Sequence, residues 1–150
     1  MGIRGSNAGL PANNVLRQSQ CDVHPDANQK WYFTIPHPNA VPNGSDLVMF
    51  SHVKDENDDD WYCFDIPGLG SQPIGTKVVV SGCNGLFDDN QHWWLERDEA
   101  SGAVQIRHYA SNGLCMALKR DGAWPEGAPL ILAGCDDKNS RWFMVENSGY

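Results

Sequence analysis

The residues best suited to chemistry stand in the stretch CNGLFDDNQHWWL, residues 83–95. Asn90 and Gln91 carry amides that both donate and accept hydrogen bonds, and the indoles of Trp93 and Trp94 follow at once. Asn90, Gln91 and Trp93 lie seven, eight and ten residues past Cys83. Asn28, Gln29 and Trp31 keep the same intervals from Cys21, and CDDKNSRWFMV at 135–145 is a degraded third copy. The chemistry open to such groups is hydrogen-bonded recognition, and no bond-breaking constellation accompanies them. The five histidines, His24, His37, His52, His92 and His108, show no metal-ligand spacing, and there is no Gly-x-Ser-x-Gly nucleophile turn. GLGSQPIGTK at 68–77 resembles a phosphate-binding loop only superficially: Thr76-Lys77 inverts the required order and an apolar run follows, with no helix to hold phosphate. The acidic run DENDDD at 55–60 lacks the glycine and terminal glutamate of a calcium loop, so it reads as a solvated acidic insertion before a strand at Trp61. No metal and no cofactor are expected.

What positions these residues is a repeat. Cys63 to Cys83 and Cys115 to Cys135 are both twenty residues apart. Each interval holds a glycine before an apolar run, Gly75 before Val78-Val79-Val80 and Gly127 before Leu130-Ile131-Leu132, and each closes on Gly-Cys. A unit of roughly 45–50 residues follows, in the size range of repeat architectures. The matched spacing predicts the disulfides Cys63–Cys83 and Cys115–Cys135, against the other state of five reduced, buried thiols. Ile3 through Cys21 aligns with the same unit, but the partner of Cys21 would fall just before Met1. Cys21 is therefore expected to have lost its partner to truncation or to receive it from another chain.

Short β-rich runs, Val48–Phe50, Trp61–Ile66, Lys77–Val80 and Trp93–Leu95, are punctuated by Gly, Pro, Asn and Asp. No apolar stripe keeps a helical period over three turns, so the expected fold is all-β, closed so that no sheet edge is left exposed. One domain over residues 1–150 is expected, with repeats at 1–40, 46–98 and 103–147. A net charge of −8 disfavours a nucleic-acid partner or an anionic membrane surface, because phosphate binding needs a basic stripe. No apolar run is long enough for a spanning helix, so membrane insertion is not expected. Disulfides imply an oxidising compartment, and hence a secreted or extracellular location.

Cys-Φ-Asp-Φ at 63–66 (CFDI, where Φ is apolar), its counterpart CMAL at 115–118, the glycine-to-cysteine middle and the Gln-x-Trp end together resemble the ricin-type lectins. The resemblance runs over essentially the whole chain and implies a β-trefoil with pseudo-threefold symmetry, its first repeat incomplete at the N-terminus. It also implies one potential sugar site per repeat. In such a site a carboxylate and an amide hold adjacent hydroxyls and a flat aromatic covers the apolar face of the ring. By resemblance, Asp65, Asn90 and Gln91 form the polar side in repeat two, with Trp93 as a core indole. Repeat one offers a weaker site at Asn28 and Gln29, its aspartate position falling on Gly2. Repeat three has Ala117 and Ser140 in place of the aspartate and glutamine. The usual stacking position, two before the second cysteine, holds Ser19, Ser81 and Ala133, so Phe87 is the expected replacement, ahead of Trp94, Trp61 and Tyr62.

The resemblance implies a non-catalytic domain that binds galactose-type or related glycans on cell surfaces or polysaccharides. Such a domain would target a larger secreted enzyme or toxin, with a catalytic domain or subunit of the same system as a further partner. The alternative is a protein-interaction or structural trefoil whose sugar sites have decayed.

Overall fold

The computed structural model describes residues 14–18, 31–55, 58–120 and 127–144. Among these the only helical element is one 3₁₀ turn, Lys138–Ser140, and the chain is otherwise strands and turns. The strands are β1 (Asn14–Val15), β2 (Tyr32–His37), β3 (Leu47–Asp55), β4 (Asp58–Asp65), β5 (Val79–Gly82), β6 (Trp93–Arg97), β7 (Val104–His108), β8 (Leu114–Leu118) and β9 (Leu130–Ala133). They form one antiparallel sheet in the order β1-β5-β4-β3-β6-β7-β8-β9, with β2 paired to β3.

The ends of that path meet. The Leu16 N–H donates to the Val78 carbonyl (2.9 Å), Val78 to Leu130 (2.9 Å) and Leu130 back to Leu16 (3.0 Å). Three segments distant in sequence thus satisfy one another's main chain in a ring. The repeated glycines acquire a reason here. Gly75 (φ 93°) donates to the Leu132 carbonyl and Gly127 (φ 82°) to that of Gln18, each 2.8 Å. Both sit in the left-handed region, where a Cβ would be strained.

The copies also match in register. Cys63 opposes Ser81 and Asp65 opposes Val79 across β4 and β5, while Cys115 opposes Ala133 and Ala117 opposes Ile131 across β8 and β9. Alternation along these strands sends Phe64, Ile66, Val80, Met116, Leu118 and Leu132 into a single core with Leu16, Val78 and Leu130. Trp93 is fully buried in that core, and its indole N–H donates to the Phe64 carbonyl (3.4 Å). Trp142 repeats the arrangement toward the Met116 carbonyl (3.0 Å). Trp31 packs on the same core, edge-on to Phe64, but its indole N–H has no acceptor among the described residues.

The acidic run departs from expectation. Asp55 ends β3 and opposes Asp58, and Asp58, Asp59 and Asp60 belong to β4, so these four aspartates extend the β3–β4 hairpin. Pairing with β3 overrides the weak strand preference of aspartate.

Both expected disulfides are present, Cys63–Cys83 and Cys115–Cys135, with Cα atoms 5.0 and 5.1 Å apart. Cys21 and the first thirteen residues lie outside the described residues. Each bridge closes a twenty-residue interval, which limits the unfolded chain by about 3 kcal/mol in the chain-entropy account. Replacing Cys115 and Cys135 together by alanine is therefore expected to lower the unfolding free energy by about 3 kcal/mol, measured by urea titration. Labelling of free thiols on the intact protein, before and after reductant, checks that these four cysteines become reactive only on reduction.

Candidate functional site

The Asp65 carboxylate ends β4, half-buried, beside β5, the strand that carries Ser81. Its Oδ1 accepts from the Ile66 N–H (2.7 Å), and its Oδ2 accepts from the Ser81 hydroxyl and from the Gln91 amide (3.2 Å). The Gln91 Nε2 also lies 3.1 Å from Ser81 Oγ and 2.9 Å from the Gly82 carbonyl, and its Oε1 accepts from the Asn84 N–H (2.8 Å). Gln91 is 1% exposed, so it works from inside, fixing both the carboxylate and the start of the 83–92 loop. Ser81 fills the position where the resemblance calls for an aromatic, and instead of offering a stacking surface it donates to the carboxylate. An ionised carboxylate has about four lone-pair sites. Three are engaged here, leaving capacity for an added donor on Asp65.

Asn90, the amide expected beside the carboxylate, makes its hydrogen bonds inside the protein. It is completely buried, and its Nδ2 donates to the carbonyls of Gly68 (2.8 Å) and Ile66 (3.4 Å), tying the 67–75 loop to the 83–92 loop. Its Oδ1 is buried without a partner among the described residues. Phe87 is 49% exposed, and its ring packs edge-to-face on His37 at 4.8 Å and on Tyr109 at 5.7 Å. Trp94 is buried under the Arg107 guanidinium (5.1 Å), and Tyr62 packs on the core, so neither offers an open face. Trp61 is exposed and meets Tyr32 edge-to-face at 5.7 Å. Asn28, Gln29 and Gly2 lie outside the described residues.

Repeat three shows what replaces the polar set. Ala117, at the aspartate position, is fully buried. Ser140, at the glutamine position, accepts from the amide of Gln105 (3.0 Å), which also donates to the Cys135 carbonyl (2.7 Å). An amide from β7 thus braces the loop that Gln91 braces in repeat two. The one sequence signal for it is the inward-outward alternation of VQIRH, which turns Gln105 out of the core.

A buried histidine joins the site to the rest of the barrel. His108 Nε2–H donates to the Asn90 carbonyl (2.8 Å), and its Nδ1 accepts from the Ser111 hydroxyl (2.8 Å), which accepts in turn from the Gln72 N–H (3.0 Å). Burial pushes the imidazole down to about 4, outweighing the bond to Asn90 that favours the charged form.

Comparison of the chain with known protein families, curated proteins and solved structures finds no match.

Two outcomes follow. Above the ordinary histidine value of 6.5, His108 is neutral in both the folded and unfolded chain, and its full contribution to stability is present. As the pH falls from 6.5 towards about 4, only the unfolded chain takes the proton, so stability is lost through that window, by at most about 3 kcal/mol. Urea unfolding at a series of pH values checks this, with His108→Gln flattening the slope. Gln91→Ala takes the side-chain acceptor from the Asn84 N–H and one of three donors from Asp65, and should cost about 2–3 kcal/mol in the same assay.

Proposed function

We propose that the closed antiparallel sheet is a β-trefoil of the ricin type and that the protein is a non-catalytic carbohydrate-binding domain. The ring of main-chain bonds through Leu16, Val78 and Leu130, and the paired indole bonds of Trp93 and Trp142, support the threefold reading. The observation that carries the function is the half-buried carboxylate of Asp65, held on its inner side by Gln91 and Ser81. A carboxylate braced in this way accepts from ligand hydroxyls without first having to be ordered. On this reading Asp65 and Ser81 face the sugar, Gln91 supports them from beneath, Asn90 is a strut between loops, and Phe87 is the candidate stacking surface. No catalytic role is assigned to any residue. The two disulfides fit an extracellular protein, and we take the domain to be secreted as the targeting part of a larger enzyme or toxin.

About three hydrogen bonds at 0.5–1.5 kcal/mol each, with roughly 1 kcal/mol from stacking, amount to millimolar binding at one site. Such a site gains useful strength on clustered or polymeric glycans, where several weak contacts act together. The second reading, a protein-interaction or structural trefoil, is favoured by the burial of Asn90 in repeat two and by a buried Ala117 at the aspartate position of repeat three.

Amide-resolved NMR titration with galactose-type oligosaccharides at millimolar concentration discriminates the two. Shifts confined to residues around Asp65, Ser81 and the 83–92 loop are expected, and Asp65→Ala should abolish them while leaving the fold intact. Absence of any saturable shift, or a protein partner captured equally by wild type and Asp65→Ala, would support the second reading.

A further inference from the structure

Buried imidazoles are ordinarily satisfied at both nitrogens, as His108 is. His37, at the end of β2, and His92, just before β6, are different. The Nε2 atoms of both are buried and have no hydrogen-bond partner among the described residues. Their rings lie 5.2 Å apart between centroids, inclined at 45°. His92 is 1% exposed, and its Nδ1 faces the Asp89 carbonyl at 3.4 Å. A carbonyl can only accept, so Nδ1 carries the proton and Nε2 is left with a bare lone pair in a site without donors. His52 also has an unpartnered Nε2, but its ring neighbour is Trp31, which offers no second ligand.

We propose that His37 and His92 form a two-histidine site for a borderline divalent transition-metal ion, zinc being the probe of choice, with water completing its coordination. Neutral imidazole nitrogen suits zinc, copper and nickel, whereas magnesium and calcium require oxygen donors. A tetrahedral zinc ion ligated at about 2.0–2.1 Å by two imidazoles sets their ring centres roughly 5 Å apart, which is the separation found here. The Nδ1–H of His92 on a main-chain carbonyl is the outer bond that metal-ligating histidines characteristically make, fixing the tautomer and the ring. Phe87 covers the pair, 4.8 Å from His37 and 6.1 Å from His92, with Tyr109 beyond it. Among the described residues no group of three or more His, Cys, Asp or Glu side chains is gathered for a metal, so two protein ligands and open positions define the site. This inference is independent of the carbohydrate reading.

The test is titration of the whole protein with zinc chloride at pH 7.5, read by calorimetry and by thermal unfolding, with magnesium as control. A saturable rise in Tm with zinc alone is expected, and His37→Gln should weaken zinc binding at least about tenfold. Copper(II) loaded at one equivalent should show nitrogen hyperfine coupling from two imidazoles in its electron paramagnetic resonance spectrum, and from one in His37→Gln. The wild-type spectrum decides the matter even if a variant fails to fold. No saturable zinc effect, equal affinity in His37→Gln, or a copper spectrum with oxygen ligands alone would overturn the proposal, the last pointing to the acidic run at 55–60.

Discussion

Three main-chain hydrogen bonds that close on one another, from Leu16 to Val78, from Val78 to Leu130 and from Leu130 to Leu16, tie together segments that no local interaction would bring near. Main-chain polar groups this deep must find partners within the protein, since an unpaired buried group costs about as much as a lost hydrogen bond. The ring provides those partners while the Leu16, Val78 and Leu130 side chains fill the core around it. Each of the two glycines beside the ring is there because the chain must turn with positive φ as it enters. Everything outward, from the paired strands to the disulfides and the polar site, inherits its position from that closure.

Most of what the repeat carries was legible in the sequence, because cysteine spacing, the glycine before an apolar run and the terminal indole are all local patterns. Cys63–Cys83, Cys115–Cys135 and the strands on either side are read from such patterns, and the core place of Trp93 follows from the resemblance they carry. The polar residues were less legible for a physical reason. An asparagine amide can satisfy ligand hydroxyls or main-chain carbonyls equally well, and only the fold shows that Asn90 faces the carbonyls of Ile66 and Gly68. Aspartates 58–60 look like solvated loop from their charge, yet they continue a hairpin because β3 offers them partners.

Residues that come together from different elements leave no spacing to find. Gln105 braces the loop of repeat three from a strand that precedes it by thirty residues or more in its contacts with Cys135 and Ser140. His37 and His92 approach one another across the hairpin and loop and belong to no motif. Both arrangements become visible only after the barrel is closed. They also differ in kind: Gln105 makes good a missing amide with another amide, whereas the two histidines leave lone pairs with nothing to accept.

The disulfides have a consequence for how the protein survives damage. Leu69 and Ile74, in the 67–75 loop, are 80% and 64% exposed, so this loop is an open target for a protease. It lies between Cys63 and Cys83, as residues 116–134 lie between Cys115 and Cys135. A cut inside either interval severs the main chain without separating the pieces, because the sulfur bridge still joins them. Asn90 and Ser111 hold the nicked loop from outside it, through Gly68 and Gln72 respectively. A molecule clipped there would remain a single covalent body until it met a reductant, at which point it would come apart.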